Sequence, residues 1–107
     1  MSLMTKELEK RFEAQGYTGD KDAKDITVIA KFFNPIGVGT WFCYEYNPED
    51  RIFWCFANLG DPDFAELGTV SLDEIESLVL PFGLKIERDL YFTKCCLQEV
   101  IDKKGEI

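Results

Sequence analysis

Thr40-Trp41-Phe42-Cys43-Tyr44-Glu45-Tyr46-Asn47-Pro48-Glu49-Asp50-Arg51-Ile52-Phe53-Trp54-Cys55-Phe56-Ala57 is the stretch that decides the fold. Two runs of aromatic and β-branched residues, which suit a pleated packed surface, flank a turn sequence, Asn-Pro-Glu-Asp. This is a β-hairpin able to organise a sheet around itself. With Asn47 to Asp50 as the loop, Tyr46 lies opposite Arg51. One face then carries Phe42, Tyr44, Tyr46, Arg51, Phe53 and Cys55, and the other Trp41, Cys43, Glu45, Ile52, Trp54 and Phe56. That is the preferred register. A one-residue bulge is the alternative, and it sets Cys43 directly opposite Cys55.

On the N-terminal side, Ile26 to Phe33 reads as a strand with apolar residues on both faces, the mark of a covered position. Asn34 to Gly39 is a turn, because Pro35 and two glycines interrupt a strand. Before Ile26, Tyr17 to Asp25 is a polar loop. Thr5 caps a helix running to about Gln15, with Leu8 and Phe12 on one face and Gly16 as its stop. On the C-terminal side, Asn58 to Ala65 is a loop and Glu66 to Val70 a short strand. Ser71-Leu72-Asp73-Glu74 is a capping box. Its helix carries Leu72, Ile75, Leu78 and Val79 on one face, and Pro81 ends it. Leu84 to Phe92 alternates as a strand, with Arg88 on the apolar Leu84-Ile86-Leu90-Phe92 face. A helix from about Thr93 or Lys94 to Asp102 follows and carries Cys95 and Cys96 about 100° apart.

The expected fold is therefore α+β: a single domain with an antiparallel sheet of about five strands. The Ser71-capped helix and the terminal helices pack on it. The domain is expected over residues 4–102, with residues 1–3 read as an expression scar and 103–107 as a frayed tail.

Composition limits the chemistry. The 107-residue chain is 46% hydrophobic, which is enough for a core. Its 20 acids against 12 bases give a formal charge of −8, and such a field repels polyanions. No broad nucleic-acid face is expected. No apolar run reaches the roughly 20 residues of a membrane helix. A cytoplasmic location, as a monomer or weak dimer, is the expectation. Four cysteines without a C-x-x-C spacing, and no histidine, leave no zinc motif. Ser-His and Cys-His nucleophiles are excluded within the chain.

Two charges sit among apolar neighbours. Glu45 shares its face with two tryptophans, and Arg88 interrupts an apolar face. A charge on a packed face needs a partner, so Arg88 is expected to pair with Glu45 or Glu66. The polar cluster of Lys31, Glu45, Glu66 and Arg88 is the candidate binding site, and no cofactor is expected. A carboxylate metal site is a second possibility, since a few acids with water suffice for Mg²⁺. Glu45, Glu87 and Asp89 would then hold Mg²⁺ or Mn²⁺.

Several of these strings resemble a known bacterial family: Lys31-Phe32-Phe33, Trp41 to Glu45, Asn47-Pro48-Glu49, and Glu66-Leu67-Gly68 leading into Ser71-Leu72-Asp73-Glu74. The most specific is Gly83-Leu84-x-Ile86-Glu87-Arg88-Asp89-Leu90-x-Phe92. The chain resembles domain-of-unknown-function family 2958 over about residues 5–98. The resemblance implies a small cytoplasmic protein of plasmids, conjugative elements or phages, and Glu45, Glu66, Glu87, Arg88 and Asp89 occupy the family's polar positions. Some members are described as single-stranded DNA endonucleases. The leading expectation is a non-catalytic accessory or interaction protein of a mobile genetic element, with a protein partner at the Arg88 cluster. The alternatives are a metal-dependent single-stranded DNA endonuclease and an acidic DNA mimic.

Overall fold

The computed structural model describes residues 2–107. The quoted stretch forms β3 (Thr40–Asn47) and β4 (Ile52–Asn58), the two middle strands of a five-stranded antiparallel sheet. Earlier in the chain lie α1 (Lys6–Gln15), β1 (Thr27–Val28) and β2 (Ala30–Phe33). Later come β5 (Glu66–Ser71), α2 (Leu72–Ser77), β6 (Glu87–Arg88), β7 (Cys95–Cys96) and α3 (Leu97–Asp102). The sheet order is β5-β4-β3-β2-β6, and β1 pairs with β7 in a separate two-stranded ribbon. The α+β class, with about five antiparallel strands and packed helices, is as the sequence reading expects.

The hairpin register differs from the preferred reading. Asn47 lies opposite Ile52 and Cys43 opposite Cys55, with a bulge at Tyr44 between the two regular stretches. The bulge absorbs one extra residue on β3, so Tyr44 joins Phe42, Trp54 and Phe56 on one face. Trp41, Cys43, Tyr46, Phe53 and Cys55 line the other. Both thiols are free and buried.

Each face of the sheet has its own core. On one, Leu8 and Phe12 of α1 and Leu72 and Ile75 of α2 pack on Phe32, Phe53 and the cysteine pair. Phe53 meets Phe12 and Phe32 with ring centroids 5.5 and 5.3 Å apart. On the other, Val28, Leu97 and Val100 cover Phe42 and Phe56. The helix starts follow local chemistry. Thr5 Oγ1 accepts from the Leu8 amide (3.1 Å) and Ser71 Oγ from the Glu74 amide (3.2 Å). Gly16 ends α1 at φ 66°.

Five expectations are revised. Ile26 to Phe33 is not one strand: it switches at Ile29 from the ribbon (β1) to the main sheet (β2). Only Glu87–Arg88 of the Leu84–Phe92 stretch pairs, because it borders β2 for just two residues, and Leu90 is exposed. Leu78 and Val79 lie beyond the end of α2 and are exposed, since Pro81 follows too soon for another turn. Cys95 and Cys96 form β7 rather than helix, because the backbone of Thr27 and Val28 offers them a ladder. Leu3, set aside in the sequence reading, is core at 1% exposure, and its amide donates to Glu76 Oε2 at 3.1 Å.

The C-terminal segment, expected to fray, is docked on the sheet. The Gly105 amide donates to the Val100 carbonyl (2.9 Å) and Asn58 Nδ2 to the Lys104 carbonyl (3.1 Å). Gly105 combines φ 73° with contact against Asn58, Phe42 and Phe56, where a Cβ would stand 3.0 Å from the Asn58 Cβ. Only glycine meets both demands.

Candidate binding clefts

The sequence reading gathers Lys31, Glu45, Glu66 and Arg88 into one cluster. The structure distributes them. Arg88 lies on β6, opposite Phe32, and Glu66 begins β5 at the other edge of the sheet. Four strand spacings of about 4.8 Å separate those edges, so the Arg88–Glu66 pair does not form. Glu45 is committed elsewhere. Its Oε1 accepts from the Thr18 amide (2.8 Å) and the Thr18 hydroxyl (2.6 Å), which satisfies the one buried polar residue among those described. Lys31 Nζ lies 3.5 Å from Asp89 Oδ2, donates to the Ile107 carbonyl (2.7 Å) and stands 5.5 Å from the Phe42 ring centroid.

Glu45, Glu87 and Asp89 are not brought together either. Two strand spacings and several residues along the sheet separate Glu45 from β6, on the order of 15 Å. Glu87 is paired to Phe33 in the ladder and Asp89 is drawn to Lys31. Among the described residues no three acids or cysteines converge as metal ligands would. The acids are spread over α1, the loop before β1, the hairpin turn, the Asp61–Asp63 turn, α2 and α3.

What Arg88 does share is a cleft of about 270 Å³ between α1 and the β6 edge. Arg88 Nη1 donates to the Leu3 carbonyl at 3.4 Å, a long contact that leaves most of the guanidinium's donors open. Arg11, on the facing side of α1, lines the same cleft with Leu8, Ile29 and Leu90, and two carboxylates, Glu7 and Asp89, line it as well. Neither arginine is ion-paired among the described residues; Arg51, the third in the chain, is held 2.8 Å from Asp73. Arg11 also borders an adjoining hollow with Lys94. A guanidinium with open donors is the group that can grip a carboxylate or phosphate bidentately.

A second cleft, of about 400 Å³, lies where α1 crosses the turn end of the hairpin. Phe12, Tyr17, Tyr46 and Trp54 supply its rings, and Glu9, Glu13 and Glu45 its carboxylates. Burial pushes the Tyr46 hydroxyl above its ordinary range; Arg51 opposes that shift and Glu9 adds to it. Its shape follows from two local features. The bulge turns Tyr44 and Glu45 onto the Trp54 face. Gln15, in the last turn of α1, locks the helix to the bulge: its Nε2 donates to the Thr27 and Tyr44 carbonyls and its Oε1 accepts from the Thr27 amide.

Sequence reasoning missed Arg11, Glu9, Glu13 and Tyr17. The signal was present in part, since Glu9 and Glu13 are four apart on α1 and Phe12 and Gly16 continue that flank. Which strand end this flank meets is a tertiary fact.

Among the described residues no helix is long and apolar enough to cross a membrane. Neither the curated proteins nor the solved structures include a match to this chain. The model of one family, described as Protein of unknown function (DUF2958), matches residues 3–102. With nearly the whole folded unit inside that match, from buried Leu3 to the end of α3, the chain belongs to the DUF2958 family.

Proposed function

We propose that this protein is a non-catalytic interaction protein that takes a carboxylate-bearing segment of a protein partner in the Arg11–Arg88 cleft. The accessory role in a mobile genetic element is the setting that its family resemblance suggests. One observation carries the reading: two of three arginines line a single concavity and, among the described residues, neither forms an ion pair, although Glu7 and Asp89 line it too and acids outnumber bases 20 to 12. Glu7 and Asp89 in the cleft offset the two guanidiniums at long range, but neither makes an ion pair with them, so their hydrogen-bond donors stay open to an external carboxylate. The same acidity disfavours a long polyanion more than a short acidic segment.

The test is fluorescence anisotropy with a labelled Asp/Glu-rich peptide, comparing wild type with Arg11→Ala and Arg88→Ala. Binding is expected to weaken about ten-fold or more in each variant, as for loss of one charge-assisted pair of roughly 1.5–3 kcal/mol, and to fall with added salt. Equal binding by wild type and both variants, or none by wild type, sinks the reading. So does Mg²⁺- or Mn²⁺-dependent cutting of single-stranded DNA that is lost in folded Asp89→Ala.

A further inference from the structure

The cleft between α1 and the hairpin end has chemistry opposite to that of the arginine cleft. We propose that it binds an alkyl guanidinium or ammonium group, such as the head of an arginine or lysine side chain or of a free polyamine. Tyr17, Tyr46 and Trp54 offer ring surface to a cation, and Glu9, Glu13 and Glu45 surround it with negative charge. The face of a tyrosine or tryptophan ring attracts a cation within about 6 Å of its centroid, most strongly when carboxylates stand nearby and water is partly excluded. No lysine or arginine lines the cleft, and none of its three carboxylates is ion-paired among the described residues. No ion pair within the described residues thus neutralises these carboxylates, which share one hollow with the three rings.

Tyr17 is the most telling member. It is 71% exposed, yet its ring is seated. A Cβ on Gly19 would collide with the Tyr17 ring, so the bare backbone at Gly19 is the surface the ring rests on. Gly16 turns the chain out of α1 at φ 66°, just before Tyr17. An exposed aromatic held in place costs a ligand little ordering entropy when it binds. Below the rings, Phe12 closes the floor against Tyr46, with centroids 5.9 Å apart. On the far side Glu45 is fixed by Thr18. The walls are thus preorganised from α1, from the loop after it and from both hairpin strands. The arrangement suits a flat guanidinium stacked on a ring, with its edge toward Glu9 or Glu13.

The experiment uses the Trp41→Phe protein, so that Trp54 is the sole tryptophan, and follows its emission on titration with two cationic probes. One is agmatine, a free guanidinium. The other is N-acetyl-arginine-methylamide, a side chain carried on a peptide backbone. The uncharged N-acetyl-citrulline-methylamide is the control. Saturable quenching by at least one cationic probe is expected, with the citrulline probe weaker by about ten-fold or more. Tyr17→Ala and Glu13→Gln, both at exposed positions, should each weaken binding about three- to five-fold. Gly19→Ala, which displaces the Tyr17 ring without touching a carboxylate, should weaken it similarly while far-UV circular dichroism stays unchanged. Tighter agmatine binding identifies a free cation as the source, and tighter peptide-probe binding a partner's side chain. Absence of saturation by both cations up to about 10 mM, equal binding of the citrulline probe, or affinities unmoved by all three substitutions overturns the proposal. Arg11→Ala and Arg88→Ala should leave these titrations unchanged, so this result and that for the arginine cleft stand or fall separately.

Discussion

At the residue scale, the cross-strand thiols illustrate how burial controls chemistry. Cys43 and Cys55 face each other at the centre of the sheet, both buried. Burial pushes the Cys43 thiol well above its ordinary range, and the facing Cys55 thiol adds to the effect. Cys95, half-buried on β7, is raised by burial as well. A raised folded-state value has a definite sign in stability. The unfolded chain releases its thiol protons near pH 8.5, whereas the folded chain retains them. The contribution is fully present below about pH 8.5 and is lost as pH rises from there toward the folded value. The urea midpoint should therefore fall between pH 7.5 and about 9.5, and fall less in Cys43→Ala, with Cys95 accounting for part of the remainder. Identical pH slopes in wild type and variant would show that Cys43 does not titrate differently in the two states. The same burial makes Cys43 a poor nucleophile, because the thiolate is the reactive form.

At the element scale, the two clefts depend on how α1 is fastened. Its packing face is narrow, with Leu8 and Phe12 as its only buried residues. Gln15 supplies what hydrophobic area does not. Three backbone groups, the Thr27 amide and the Thr27 and Tyr44 carbonyls, find their partner in one side-chain amide. Those groups lie where β1 leaves the main sheet and β3 bulges, so no ladder serves them. Gln15→Ala strands them and should lower stability by about 2 kcal/mol, with about 1–3 expected for a buried polar group left unsatisfied. Gln15→Glu restores the acceptor but not the donors, and should fall between the two. Urea unfolding followed by circular dichroism measures both. A Gln15→Ala loss under about 0.5 kcal/mol would show that water replaces the glutamine without cost. Loosening α1 should also weaken both binding clefts, since Arg11, Glu9 and Glu13 all ride on this helix.

At the scale of the whole molecule, the sheet is covered on both faces but open along its β5 edge. β3 and β4 lie between two hydrophobic clusters, whereas Glu66 to Thr69 are exposed and bonded on one side only. Hydrogen exchange should reflect this. The amides of Phe42, Cys43 and Phe53 to Phe56 should open only with global unfolding, and those of β5 that point away from β4 should exchange quickly by local motion. Uniform protection across β3, β4 and β5 in an NMR exchange series would show that the β5 edge is covered in solution, by a second copy or another chain.

The sequence alone determined the hairpin, the caps of α1 and α2, the turn at Asn34 to Gly39 and the α+β class. Each rests on contacts a few residues apart: an aromatic run beside a turn, a hydroxyl three residues before an amide, a glycine after the last helical turn. It also excluded histidine chemistry outright. The tertiary structure decided where strands break and which charges meet. Ile26 to Phe33 has one continuous apolar pattern, but β7 and β3 compete for it and divide it at Ile29. The bulge at Tyr44, which moves Cys43 opposite Cys55, receives a hydrogen bond from Gln15 of another element, and the hairpin's own sequence left both registers open. Glu45, Glu66 and Arg88 looked like one cluster because side-chain alternation tells which face a residue takes. It does not tell which strand will be its neighbour. Arg11 met Arg88, and Tyr17 met Trp54, only because α1 was laid across the sheet. Such long-range juxtapositions are selected by the packing of the whole core, not by the local spacing a sequence displays.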